Sequence, residues 1–273
     1  MHNIEIQGSR LAYLDVGQGP VLLFGHSYLW DSAMWAPQVE VLSQHYRCIV
    51  PDLWDHGQSG PRPAGCRNLA GVADTMLALM DALQIEEFTV VGLSVGGMWG
   101  TELALKAPAR VQALVLMNTF VGLEPEVTHQ KYFGMLRMIE QTGGVPAPMA
   151  EQIVPLFFAN DVKQANPGLA DGFKAVLLGL APERVEGVVA MGRMIFGRRD
   201  LIDQLPKLTL PVLILTGQQD KARSVLESYL MQDEITASVL KEIPHAGHIS
   251  TLENPGFVND ALGAFLQQAI RRG

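Results

Sequence analysis

The sequence predicts an α/β fold: a mostly parallel sheet with helices on both faces and a helical lid inserted late in the sheet. Three observations predict it. Short, wholly apolar runs recur at residues 21–24, 48–50, 88–91, 111–117 and 212–216, the pattern of strands covered on both faces. Stretches of helical spacing separate several of these runs, and strand–helix alternation builds parallel sheets. One long stretch, 120–210, breaks the alternation with helical patterns and no convincing strand.

Taken in order, residues 4–6 and 11–16 read as two strands around Gly8-Ser9, and Gly17-Gln18-Gly19-Pro20 as a turn into the run at 21–24. A helix over 36–44 precedes the strand at 48–50, which ends at Pro51-Asp52. Leu69, Val72, Ala73, Met76, Leu77, Met80 and Leu83 lie at helical spacing and predict a helix over 68–83. The strand at 88–91 leads to a helix over 97–106, stopped at Pro108, and then to the strand at 111–117. Strands at 212–216 and 239–243 and a closing helix over 257–270 complete the pattern. The core domain is thus expected over 1–119 and 211–273, with the lid over 120–210 rich in Met and Phe.

Composition narrows the function. An apolar fraction of 48% and a charged fraction of 18% suit a large buried core. Acids outnumber bases 28 to 20, for a net charge of −8, which argues against nucleic-acid and anionic-membrane partners. Two cysteines, Cys48 and Cys66, cannot scaffold a chain of this size, so a reducing compartment is expected. The N-terminus lacks the basic-then-apolar pattern of a secretory signal, and no apolar run reaches the ~20 residues of a membrane helix. A cytoplasmic protein acting on a small molecule is the expectation; the sequence is silent on oligomeric state.

The chemistry centres on Gly92-Leu93-Ser94-Val95-Gly96, between a strand and a helix. A serine on so sharp a turn has its hydroxyl pushed clear of the sheet, and glycines two residues either side let strand and helix pass closely. The helix N-terminus beside it favours developing negative charge. Such a serine needs a base, and the base an orienting acid. Three histidines follow Ser94: His129, His245 and His248. His129 starts the lid with no strand end to hold it. His245 and His248 both follow the strand at 239–243. His248 is chosen, because Gly247 frees the loop to turn the ring inward; His245 reads as a loop residue. The acid is Asp220, just past the strand at 212–216, and the alternative strand end carries Asn118, which is no carboxylate. The N–H of Val95, by its position after the nucleophile, and the N–H of Tyr28, in Gly25-His26-Ser27-Tyr28, are the expected oxyanion donors. Ser27, Trp30 and Trp99 are candidate substrate contacts. Arg193, Arg198 and Arg199 are candidates for a substrate carboxylate, with ion pairing to acids such as Asp200 and Asp203 as the commoner use of such residues. Neither metal nor cofactor is required.

Together these residues resemble the α/β-hydrolase superfamily, in its lid-bearing esterase, lactonase and carbon–carbon hydrolase branch. His26 with Trp35 is similar to the family's oxyanion loop, Pro51 to Ser59 to the loop after its fourth strand, and Gly92 to Gly97 to its nucleophile turn. Pro108-Ala109-Arg110-Val111 resembles the helix exit, and Gly217 to Asp220 and Gly247-His248 the acid and base loops; the lid lies outside the match. The resemblance implies a triad of Ser94, Asp220 and His248 and structural roles for His26 and His56. One departure is Ser27 where the family usually has glycine, which predicts an altered loop backbone. The implied activity is cleavage of a carboxylic ester-type bond, by an esterase or lactonase, and the Met and Phe content of the lid points to a small, apolar substrate. A carbon–carbon hydrolase with the same triad, or a ligand receptor of slow turnover, is the alternative. Aspartate-nucleophile epoxide hydrolases and dehalogenases are excluded by Ser94.

Overall fold

Side-chain alternation decides how the central strands sit. In the computed structural model, which describes residues 1–270, the chain runs β1 (His2–Ile6), β2 (Ser9–Val16), β3 (Val21–Gly25), α1 (Ala36–Leu42), β4 (Arg47–Pro51), α2 (Leu69–Ala82), β5 (Phe88–Leu93), α3 (Val95–Lys106) and β6 (Val111–Met117). It continues through α4 (Glu126–Thr142), α5 (Ala147–Phe157), α6 (Val162–Ala165), α7 (Pro167–Leu178) and α8 (Pro182–Phe196). It ends with β7 (Val212–Gly217), α9 (Val225–Glu234), β8 (Ser238–Ile243), α10 (Ser250–Glu253) and α11 (Pro255–Ala269).

The eight strands form one sheet in the order β1-β2-β4-β3-β5-β6-β7-β8. β1 and β2 are antiparallel to their neighbours, and β3 to β8 are mutually parallel. Successive side chains point to opposite faces. Val90, Leu114 and Ile214 pack on one face with Met76 of α2, Met98 of α3 and Met231 of α9. Val91, Val115 and Leu213 pack on the other with Val39 of α1 and Leu262 of α11. Burial on both faces is why these strands are unbroken apolar runs rather than alternating ones.

Three of the differences from the sequence reading have a clear local cause. β2 begins at Ser9, because Gln7 and Gly8 (φ 54° and 78°) make a two-residue left-handed turn that pairs it with β1 at once. α3 begins at Val95, directly after Ser94. α9 is not anticipated at all, since Leu226 and Leu230 are exposed and blur its apolar stripe. A capping box starts it: Ser224 Oγ accepts the Glu227 N–H, and a Glu227 carboxylate oxygen accepts the Ser224 N–H at 2.7 Å.

Between β6 and β7 the described chain carries helices α4 to α8 and no strand. α4 packs on α8 and α5 on α7. No described helix is long and apolar enough to cross a membrane.

Buried His26 ties the loop after β3 to the loop after β4, and buried His56 braces the latter. His26 Nδ1–H donates to the Ser27 carbonyl at 2.7 Å, and its Nε2 accepts the Leu53 N–H at 2.8 Å. His56 Nδ1–H donates to the Trp54 carbonyl at 2.8 Å. Burial lowers the pKa of both, that of His56 to about 3, with the neighbouring His26 adding to the effect. The unfolded chain therefore binds more protons than the folded one between about pH 6.5 and 3. Stability is expected to fall as pH drops through that window, by up to about 1.4 kcal/mol per pH unit for each such histidine. Urea unfolding between pH 7 and 4 checks this, and a His56→Phe variant should show a shallower slope.

Candidate active site

Ser94 sits where β5 breaks into α3, with φ 56° and ψ −119°. A non-glycine residue in that conformation is strained, and the strain is held by its surroundings. The Ser94 N–H donates to the Met117 carbonyl at 2.9 Å, and Thr119 Oγ1 donates to the Ser94 carbonyl at 2.7 Å. The flanking glycines are obligatory. A Cβ on Gly92 would collide with the Gly96 backbone, and a Cβ on Gly96 with the Gly25 backbone. Close passage of β3, β5 and α3 is what sets the serine at the end of the sheet.

His248 and Asp220 reach the same sheet edge from the loops after β8 and β7. His248 Nδ1 and Asp220 Oδ2 are 2.9 Å apart, with both side chains buried. Asp220 Oδ2 also accepts from Asn118 Nδ2 at 2.9 Å, and its Oδ1 accepts the N–H groups of Ala222 (2.8 Å) and Arg223 (2.9 Å). The acid is thus gripped by four donors, so Nδ1 of the histidine is the protonated nitrogen and Nε2 carries the lone pair. Ser94 and His248 line one cavity.

Asn118 does more than decline to be the acid. Its Nδ2 also donates to the Gly247 carbonyl at 3.1 Å, and its Oδ1 accepts from Ser250 Oγ at 2.7 Å. It therefore ties the acid loop to the histidine loop. Its φ of 47° is one that asparagine tolerates better than most residues. Asn118→Ala is expected to lower kcat about 10- to 100-fold, because a displaced acid–base pair of this kind costs about that much. It should also destabilise the fold by about 1–3 kcal/mol through unpaired buried groups. Steady-state rates on a chromogenic ester and thermal melts check both.

Of the expected oxyanion donors, Val95 lies in the first turn of α3, whose N–H groups have no acceptor within the helix. Tyr28 lies in the loop after β3, with its ring buried and its hydroxyl donating to the Val188 carbonyl of α8 at 2.7 Å. Ser27 does not disturb this loop as the sequence reading expected. The left-handed conformation falls on Leu29 (φ 67°) and not on residue 27, so a serine is accommodated there. Ser27 lines the cavity, with its Oγ buried and unpartnered among the described residues.

Two expected substrate contacts are corrected. Trp99 is wholly buried beneath the turn, packed on Gly25, because the helix that follows Ser94 directs it into the sheet. Trp30 stacks on Phe173 at 4.8 Å and lines clefts beside the cavity rather than the cavity itself. The arginines also pair differently from the expectation. Arg193 binds Glu140 (2.6 Å), Arg198 binds Glu124 (2.6 Å) and Arg199 binds Glu102, while Asp200 takes the Ile202 N–H at 2.9 Å. His245 is exposed with φ 54°, and His129 lies against the Phe133 ring, with centroids 4.2 Å apart.

The helices between β6 and β7 supply most of the cavity wall, through Tyr132, Met135, Ile153, Leu156, Phe157 and Phe196. The cavity is narrow, about 80 Å³, and largely apolar. A larger cleft of about 840 Å³ on another side of α8 contains neither Ser94 nor His248. Sequence reasoning missed the tether between wall and site: the N–H groups of His248 and Ile249 both donate to the Phe157 carbonyl at 3.1 Å. It also missed Glu253, whose carboxylate accepts the N–H groups of Ala159 (2.7 Å) and Gly247 (2.8 Å). Burial raises its pKa.

Comparison with known proteins agrees with this fold. A family model described as alpha/beta hydrolase fold matches residues 20–151. The chain is 27% identical to 3-oxoadipate enol-lactonase 2 of Acinetobacter baylyi, over 97% of this chain and 96% of that one. Its structure is similar to a thermophilic esterase from Thermogutta terrifontis, with TM-score 0.90 and 28% identity over 98% of this chain and 99% of that one. It is similar also to the enol-lactonase from Burkholderia xenovorans, with TM-score 0.87 and 25% identity over 97% of this chain and 100% of that one. With sheet order, serine turn and likenesses in agreement, the chain has the α/β-hydrolase fold and resembles the enzymes of that superfamily.

Proposed function

We propose that this protein is a serine hydrolase that cleaves the ester-type bond of a small ester or lactone through an acyl-enzyme. The observation that carries the reading is the 2.9 Å contact of His248 Nδ1 with Asp220, in the cavity that the strained Ser94 turn also lines. Enol-lactonase and esterase relatives support the same bond class.

Ser94 Oγ bonds to the substrate carbonyl carbon as His248 Nε2 takes its proton. The carbonyl oxygen becomes an oxyanion held by the N–H groups of Val95 and Tyr28, each such donor contributing about 3–4 kcal/mol to transition-state stabilisation. Asp220 stabilises the imidazolium. Collapse breaks the bond to the alcohol oxygen, which receives the proton from His248. In a lactone that oxygen stays tethered to the acyl group. Water then attacks the acyl-enzyme, gives its proton to His248 and releases the acid, and Ser94 regains its proton. Residues 120–210 act as a lid over this chemistry, and their apolar wall excludes bulk water from it.

The test is labelling with a fluorophosphonate probe, followed by a panel of aryl esters, thioesters and five- and six-membered lactones. Wild type should label and Ser94→Ala should not, and at least one panel member should be hydrolysed. Label persisting in Ser94→Ala overturns the nucleophile. Labelling with no turnover of any member overturns the hydrolase reading in favour of ligand binding alone.

A further inference from the structure

We propose that the cleft of about 840 Å³ on the other side of α8 is a second binding site, taking the dianionic phosphate group of a small phosphorylated molecule. It is independent of the hydrolase reading, because the residues lining the two cavities do not overlap.

The chain carries a net charge of −8, yet Arg62, Arg67, Arg193, Arg198 and Arg199 line this cleft together with the carboxylate of Glu102. Three of these arginines are answered by ion pairs. Arg193 pairs with Glu140 and Arg199 with Glu102, while Arg198 shares Glu124 with Arg223, which Glu227 also answers. Arg62 and Arg67, on the loop that leads into α2, are different. Arg62 Nη1 donates to the Cys66 carbonyl, and Arg67 Nε to the Ala64 carbonyl at 3.2 Å. Asp55 accepts the backbone N–H of Arg62 at 3.2 Å rather than its guanidinium, and the charge of Arg184 draws on the same acid. Backbone carbonyls orient a guanidinium without neutralising it, so two cations face the cleft with no carboxylate bonded to them among the described residues.

The start of α2 lies between them and the cleft wall. Asn68 caps it, its Oδ1 accepting the Gly71 N–H at 2.9 Å. The N–H groups of Leu69 and Ala70, both cleft residues, have no acceptor among the described residues, and the first turn holds no acid. Such a helix start binds phosphate through its free N–H groups and its dipole. A separate observation points to the same ligand. Arg198 is only 7% exposed, and its Nε and Nη2 have no partner among the described residues; Arg62 Nε is likewise buried and unpartnered. Buried donors are almost always satisfied in folded proteins, and orphaned ones indicate an ion or ligand. A phosphate monoester brings three acceptor oxygens and close to two negative charges, which match Arg62 and Arg67 in number. The cleft is far larger than a phosphate group, and Leu69 and Met194 give it an apolar wall for the rest of the molecule.

The test is calorimetry with phenyl phosphate at constant ionic strength and about pH 7.5, above the second phosphate pKa of about 6. Wild type should bind it at one site, at least about tenfold more tightly than benzoate, as one further charge-assisted hydrogen bond implies. Binding should persist after fluorophosphonate labelling, which fills the catalytic cavity. Arg62→Gln combined with Arg67→Gln should weaken it about tenfold or more and leave ester hydrolysis unchanged. Ala70→Glu sets a carboxylate on the first turn of α2, where it suits the helix dipole. That variant should lose binding with its melting temperature unchanged or raised, and it decides the matter if the double variant does not fold. Absence of saturable binding, equal affinity for benzoate, loss of binding on labelling, or unchanged affinity in a folded variant overturns the proposal. If the protein takes no label, the hydrolase reading fails while the variants still decide the phosphate site.

Discussion

Ser94→Ala is expected to lower kcat on a chromogenic ester by about 10⁵- to 10⁶-fold, the loss seen when a triad nucleophile is removed. Among the described residues lining the cavity, the other serine, Ser27, sits on the loop after β3 and not on the turn between β5 and α3. The fold should tolerate the change, because alanine at φ 56° carries the same strain as serine and the glycines that make the turn are untouched. A burst experiment with 4-nitrophenyl acetate, combined with a thermal melt, separates the two outcomes. A folded Ser94→Ala enzyme retaining more than about 1% of wild-type kcat would place the nucleophile elsewhere.

Asp220→Asn is expected to lower kcat by about 10⁴-fold with little change in KM, through the tautomer of His248. Both oxygens of Asp220 accept two hydrogen bonds each: Ala222 and Arg223 N–H on Oδ1, and Asn118 Nδ2 and His248 Nδ1 on Oδ2. Asparagine has one oxygen to offer. The two backbone donors cannot rotate away, so the oxygen must face them and the amide nitrogen must face His248. His248 then avoids a donor–donor clash only by carrying its proton on Nε2, where it cannot accept one from Ser94. The pH–rate profile and kcat of the variant check this, and a kcat within about tenfold of wild type would assign the acid to another residue.

Much of this arrangement was legible in the chain itself. The strand at β5, the serine turn and α3 are contiguous, so Gly92, Ser94 and Gly96 announce their own geometry. The apolar runs of β3, β5, β6 and β7 state their burial on both faces. The acid and base loops are legible because each follows a strand end, and parallel strands bring their C-terminal ends to one edge. Asn118 was read only by what it lacks. Its three-way role depends on Asp220, Gly247 and Ser250, more than a hundred residues downstream, and no local pattern encodes such partners.

The error over Trp99 has the same origin. Closeness in sequence to Ser94 suggested the pocket, but helical geometry five residues on turns the indole into the sheet, onto Gly25. For Tyr28 the sequence showed the backbone position and missed the side chain, which crosses to Val188 of α8 and fastens the oxyanion loop to the inserted helices.

By itself, then, the sequence determined the fold class, the serine turn and the chain order in which Ser94, Asp220 and His248 come to one sheet edge, because short-range sterics and apolar periodicity express these locally. Tertiary structure alone decided the chemistry of the cavity wall. Helices α4, α5 and α8 reach the site by folding back over the sheet. Phe157 is pinned to the His248 loop by backbone hydrogen bonds, and Arg223 is paired with a glutamate 99 positions away. Those contacts depend on which surfaces meet, and that is settled by packing the whole chain rather than by any segment of it.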